Sequence, residues 1–260
     1  MDITLHTISK MLFVSNSIVF IFGLIFGSFL NVCIYRIPKH ENITVEPSHC
    51  QSCGRRLKWY ELFPVLSYVV LRGKCRTCHT KISIQYPIIE LLNGLLYVLV
   101  FFVMGMNVRA LLTCALTSCL IVIAVIDWRT FEIPVGLNVF IGIVGLINLI
   151  FDYNNWLNYL IGAVCVSGFL LVLFIVSKGR AMGGGDIKLM AAAGLMLGWK
   201  EIILAFVLGC ILASILHVIR MRVSKADHVL AFGPYLAVGI FIAQLFGNQM
   251  ISAYLGLLGV

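Results

Sequence analysis

Long apolar runs alternate with polar breaks along the whole chain. The runs fall at about 11–33, 87–104, 110–126, 133–151, 156–176, 186–197, 202–219 and 229–246. Crossing the hydrocarbon core of a bilayer takes about 20 helical residues. The pattern therefore predicts eight candidate spans. The sixth, 186–197, is short for a full crossing and begins at a glycine-rich break. That suits a helix that starts inside the protein at a water-accessible cavity. The first span holds Gly23, Gly27 and Ser28, small residues that allow close helix packing in lipid. Of the polar stretches, 35–86 is long enough to form a small domain. No cleavable signal peptide is expected: the first run is too long, no small-residue cleavage site follows it, and its N-terminal flank is barely basic.

Composition strengthens this picture. Of 260 residues, 61% are hydrophobic and 12% charged, whereas a soluble domain is nearer half apolar and a quarter charged. The net charge of +8 could suggest nucleic acid, but the basic residues sit in loops between apolar runs. That distribution is the positive-inside pattern of a protein in a lipid bilayer, and no nucleic-acid partner is expected. Placing 35–86, 127–132, 177–188 and 220–228 on one face gathers 16 of the 19 Lys and Arg residues there, leaving Lys10, Arg109 and Lys200. That face is expected to be cytoplasmic, with both termini on the other side. It also places Asp127 and Asp186 at one membrane edge. The pattern sets no oligomeric state.

The polar stretch contains Cys50-Gln51-Ser52-Cys53 and Cys75-Arg76-Thr77-Cys78, separated by 21 residues. Two such pairs predict a tetrahedral Cys₄ zinc site, because thiolates at i and i+3 can grip one metal from a tight turn. Arg55, Arg56, Lys74 and Arg76 would offset the thiolate charge. The segment is too short to bury a core, so a structural Zn²⁺ staple is expected. Disulfides are disfavoured in the cytoplasm, and a redox pair would need one Cys-x-x-Cys rather than two. His49 and His79 adjoin the pairs and read as surface residues. Cys33, Cys114, Cys119, Cys165 and Cys210 lie in apolar runs and read as packing residues.

Asp127 sits in Ile126-Asp127-Trp128-Arg129, with Pro134 at the first turn of the fourth span; Asp186 follows Gly183-Gly184-Gly185. Ionisable residues at a membrane edge are costly and mark functional sites. The glycines allow close backbone approach and unusual φ/ψ. Two aspartates brought together would share one proton, one activating water and the other polarising a carbonyl. Singly, Asp127 also reads as a helix-end carboxylate paired with Arg129, and Asp186 as a helix cap.

Here the sequence resembles the bacterial type IV prepilin peptidases. The resemblance rests on Gly27-Ser28-Phe29-Leu30-Asn31-Val32 with Arg36-Ile37-Pro38, the four cysteines, and Tyr86-Pro87-Ile88-Ile89-Glu90-Leu91. Asp127 with Ile133-Pro134, the stretch 182–189 and Phe232-Gly233-Pro234 follow in the family's order. It covers roughly the whole chain; Val135 departs from the Asp often found there. It implies a GxGD-type aspartic endopeptidase of the bacterial inner membrane with Asp127 and Asp186 as the catalytic pair. Such enzymes remove the short basic leader of prepilins and pseudopilins at the cytoplasmic face. Many then N-methylate the new N-terminus with S-adenosylmethionine. Gly183, Gly185 and Lys188 are supporting candidates, although Lys188 also reads as snorkelling to the interface. No Gly-x-Gly-x-x-Gly loop follows a strand, so a methyl-transfer site would have to use the first two spans and the zinc segment. Asn31, Arg36, Glu61 and Glu90 are its polar candidates; Asn31 and Arg36 also read as interfacial anchors. Asp2, Glu201 and Asp227 read as solvated loop residues, and His217 as packed or interfacial.

The expected architecture is an all-α polytopic membrane protein. It has a first helix (1–34), a cytoplasmic Cys₄ zinc segment (35–86) and a seven-helix aspartic peptidase domain (87–260). Two other readings stand beside it. A proton- or cation-coupled transporter would use Asp127 and Asp186 as a relay, but it predicts an inverted repeat, and the chain has one glycine-rich break. A zinc-ribbon membrane scaffold would need the cysteines and not the aspartates.

Overall fold

The computed structural model describes residues 2–180, 182–224 and 230–257, all helix, turn and loop apart from two isolated bridges. The long helices are α1 (Asp2–Arg36), α3 (Gln85–Met104), α4 (Val108–Thr130), α5 (Val135–Phe151), α6 (Trp156–Val176), α7 (Gly184–Leu197), α8 (Trp199–Ser224) and α9 (Gly233–Leu257); a short α2 (Leu66–Val70) lies in the cysteine segment. All eight expected runs are helical, and six helices among the described residues are long and apolar enough to cross a membrane. The protein is a multi-pass membrane protein. At 17 and 14 residues, α5 and α7 fall short of that length. Pro134 turns out to cap α5 rather than sit within its first turn.

The chain divides into two compact units, Met1–Ala110 and Leu111–Val260, so α3 belongs with α1 and the cysteine segment. In the first unit, α1 packs along α3. A Cβ added to Gly27 would lie 2.7 Å from Glu90 Cα, so the backbones meet as closely as the small residues of α1 predict. Polar side chains tie the seam. Asn93 Nδ2 donates to Gly23 O at 2.7 Å, and Asn31 Nδ2 to Tyr86 O at 3.1 Å. In lipid such bonds matter because water is not there to replace them.

The second unit is arranged about its shortest long helix. α7 packs against α5, α6, α8 and α9, and eight of its 14 residues are buried. Leu189, Met190, Ala193 and Met196 are fully enclosed, in one core with Ile123, Ile141, Leu170, Ile202 and Ile240. The α6–α7 crossing is a backbone contact, since a Cβ on Gly194 would run into the Gly162 carbonyl.

Acidic residues outside the candidate sites fared unevenly. Glu201 is buried rather than solvated, its stem packed on Gly247, where a Cβ would come within 3.0 Å. Asp227 and the side chain of Asp2 lie outside the described residues.

Candidate functional site

Asp127 lies in the last turn of α4 and is buried. Phe131, at φ 56°, ends the helix. The Asp127 Oδ2 accepts a hydrogen bond from the Gly233 N–H at 2.8 Å. Gly233 opens α9, where N–H groups have no partner within the helix and the dipole favours an anion. A Cβ at 233 would stand 2.8 Å from that same oxygen, so the approach requires glycine.

Asp186 is buried in the first turn of α7. Its carboxylate accepts the N–H of Gly183, the residue that caps α7. This is the return half of a capping box, so the capping role expected of a lone Asp186 is present too. Asp127 and Asp186 are near enough to act on each other electrostatically. Each carboxylate is tied to a backbone N–H.

Of the three adjacent glycines, Gly185 is the one needed for its size. Gly183, Gly184 and Gly185 are not among the positive-φ residues. A Cβ on Gly185 would lie 2.9 Å from Ile133 Cβ, whereas one on Gly184 would meet nothing within 4 Å. Asn138, buried on α5, reaches Gly185 O from Nδ2 at 3.5 Å. Lys188 is exposed, with no ion pair to either aspartate among the described residues.

The four cysteines converge in the first unit. Their sulfurs lie within 4.8 Å of one another, with Cys50 Sγ and Cys78 Sγ 3.8 Å apart. A tetrahedral S₄ zinc with bonds of about 2.3 Å places its sulfurs roughly 3.8 Å apart. The two pairs form matching turns. Gly54 N bonds to Cys50 O at 2.9 Å and Cys50 N to Arg55 O at 2.9 Å. In the second, His79 N bonds to Cys75 O at 3.0 Å and Cys75 N to Thr80 O at 2.9 Å. Bridges His49–Arg56 and Lys74–Lys81 close them. Each turn needs a left-handed residue after its second cysteine, filled by Gly54 (φ 69°) and by His79 (φ 55°). Hydrogen bonds from the Thr80 side chain and backbone draw the Cys78 thiol down to about 6. Backbone N–H groups of Cys78 and Thr77 lower Cys75 as well, whereas burial and the neighbouring Cys50 and Cys78 sulfurs push the Cys53 thiol up to about 11.

A cavity of about 350 Å³ opens between α1, α3 and the cysteine segment. Asn31, Arg36, Glu61 and Glu90 all line it and are all buried. Three of them are engaged in holding the chain. Arg36 donates to the carbonyls of Asn42, Glu46 and Pro47 at 2.9–3.4 Å, pinning the loop after α1. Asn31 is held in the α1–α3 seam. Glu61 pairs with Arg55 at 2.8 Å, which with the Lys58 N–H holds its carboxyl below the usual range. Glu90 accepts the Val65 N–H at 2.7 Å and the Ser28 hydroxyl, and has no ion pair among the described residues. Gly233 and Val65 act through backbone N–H groups, which no side-chain pattern announces.

Comparison with known proteins agrees with this division. The Bacterial Peptidase A24 N-terminal domain matches residues 21–104, and the Type IV leader peptidase family matches residues 114–218. A prepilin leader peptidase/N-methyltransferase of Bacillus subtilis (strain 168) is 35% identical over 243 residues, covering 92% of this chain and 97% of the relative. One from Pseudomonas putida is 34% identical over 272 residues, covering 92% and 93%. One from Aeromonas hydrophila is 32% identical over 272 residues, with the same coverage. No solved structure matches. Matched across both units and over nearly its whole length, the chain belongs to the type IV leader peptidase family.

Proposed function

We propose that this protein cuts the short basic leader from prepilins and pseudopilins at the cytoplasmic face of the inner membrane, then methylates the exposed amine with S-adenosylmethionine. One observation carries the proteolytic half: two buried aspartates, from the end of α4 and the start of α7, act on each other where polar backbone meets apolar span. Like charges so placed share a proton. The ionised partner takes a proton from the attacking water, and the protonated one donates to the scissile carbonyl. The bonds from Gly233 and Gly183 hold the pair in place before substrate arrives, which spares reorganisation during reaction. A substrate with a basic leader in the cytoplasm and an apolar helix in the bilayer brings its scissile bond to this depth. The excess of Lys and Arg on the same side supports the orientation.

The sulfur separations and the chemistry of the donors fit a four-coordinate Zn²⁺ on Cys50, Cys53, Cys75 and Cys78. With all four positions taken by protein, the metal is structural. The cavity beside it is within the usual size range of ligand sites, about 300–1,000 Å³. Its lining suits S-adenosylmethionine in chemistry: Tyr68 and Tyr86 are aromatic rings of the kind an adenine stacks on, and Arg76 carries a charge for a carboxylate. When bound, the cofactor supplies an electrophilic methyl group.

The test is incubation with a synthetic prepilin and methyl-labelled S-adenosylmethionine, using wild type, Asp127→Asn and Asp186→Asn. Wild type cleaves and labels, and neither variant cleaves. Normal cleavage by either variant removes the dyad.

A further inference from the structure

We propose that Glu90 is the catalytic residue that docks the new N-terminal amine of the cleaved substrate and takes its proton before methyl transfer; this rests on the methyl-transfer reading of the first unit. Glu90 is buried, only 6% exposed, on the membrane-spanning α3, yet it faces the cavity. Its neighbours in the cavity wall are accounted for by the fold. Arg36 is taken up by three loop carbonyls, Glu61 by Arg55 and Asn31 by the helix seam. Glu90 differs. It is a carboxylate with acceptor capacity beyond its bonds from Val65 and Ser28, and no cation lies within ion-pair distance among the described residues. A buried charge without a counter-ion is costly, and a cavity beside it is where the counter-ion can enter. The primary ammonium of a freshly cut peptide has that charge.

The way Glu90 is held supports a positioned acceptor. Val65 donates its N–H from φ 59°, ψ −49°, a conformation a β-branched residue adopts only at a cost. The strained turn aims a donor at Oε2 of Glu90. From the other side, Gly27 brings the α1 backbone against Glu90 Cα. Both contacts fix the carboxylate relative to the cavity rather than to lipid.

The chemistry balances. The ammonium gives one proton to the Glu90 carboxylate. The freed lone pair forms the N–C bond to the donor methyl while the C–S bond breaks and its electron pair stays on sulfur. The sulfonium becomes a neutral thioether, the amine becomes an N-methylammonium, and Glu90 returns its proton to water.

The experiment measures binding as well as turnover, with full-length protein in nanodiscs. The probes are a mature N-terminal peptide with a free amine, the same peptide N-acetylated, and S-adenosylmethionine. Wild type is expected to prefer the free amine by about tenfold or more. Glu90→Gln, whose amide oxygen still accepts from Val65, is expected to bind both peptides alike, bind S-adenosylmethionine within about twofold of wild type and cleave prepilin normally. A Glu90→Gln protein that keeps the full amine preference overturns the proposal. So does one that loses S-adenosylmethionine binding while keeping that preference, since Glu90 would then face the donor. Wild type that binds neither donor nor peptide amine overturns the methyl-transfer reading itself, a result separable from the other two.

Discussion

Each unit holds buried carboxylates by backbone N–H groups, but the two supports are built differently. In the second unit, the donors are the first N–H groups of long helices: Gly233 opens α9 and Gly183 caps α7. Their positions are set by helix crossings made of direct backbone contact, as at Gly162–Gly194. In the first unit, the donor to Glu90 is Val65, in an irregular segment between two cysteine turns. That segment is held by its cysteine cluster, its two bridged turns, the Arg55–Glu61 pair and the loop bonds from Arg36 rather than by long helices. Helix packing therefore sustains one site, and the cysteine cluster, with the metal proposed for it, sustains the other. The two should fail under different insults.

The largest separation should come from the aspartates. Asp127→Asn or Asp186→Asn is expected to lower prepilin cleavage by about 10²–10⁴-fold, the range of a lost acid–base group. Methyl transfer to a peptide supplied already trimmed should be unchanged, as read by label incorporation. A parallel fall in both activities would break the comparison. Next comes Gly233→Ala, which puts a methyl group 2.8 Å from Asp127 Oδ2. Displacing the carboxylate should reduce cleavage by about 10²-fold while the protein inserts normally. Gly184→Ala serves as control, since a Cβ there meets nothing within 4 Å. Its cleavage rate should match wild type.

Metal removal tests the other unit. Chelation, or Cys75→Ser, is expected to lower methyl transfer to the trimmed peptide by about tenfold or more and leave cleavage in place. Equal loss of cleavage would show that the cysteine segment also supports the aspartates. The smallest effect is expected at His79, which takes the left-handed position that Gly54 takes in the matching turn. His79→Gly should stabilise the second turn by about 1 kcal/mol, seen as metal release at a higher chelator concentration.

The legible features were those carried by side-chain pattern. Apolar runs marked every long helix, the Cys-x-x-Cys spacing marked the cluster, and the two aspartates at span ends marked the polar face of the second unit. The illegible ones were carried by backbone. Nothing about Val65 announces that its N–H turns toward Glu90, because its φ is set by the surrounding chain. The glycines before Asp186 promised unusual torsions, and Gly185 instead makes room for Ile133. Glu201 looked solvated because it lies just after a break between spans, but its burial depends on Gly247, far along the chain. Arg36 and Glu61 line the cavity and also hold the chain, through partners that no sequence spacing announces.

The shortness of α7 bears on how the protein is made. At 14 residues it rises about 21 Å, against a hydrocarbon core of about 30 Å, and it carries Asp186 and Lys188 near its start. Such a segment partitions poorly into lipid alone as it leaves the ribosome. Its stable place exists once α5 and α6 stand beside it, with Gly162 ready to meet Gly194. Insertion of this region is then a joint event of three helices. A substitution at the α6–α7 crossing would register first as lost protein in the membrane, and only in the surviving fraction as lost activity.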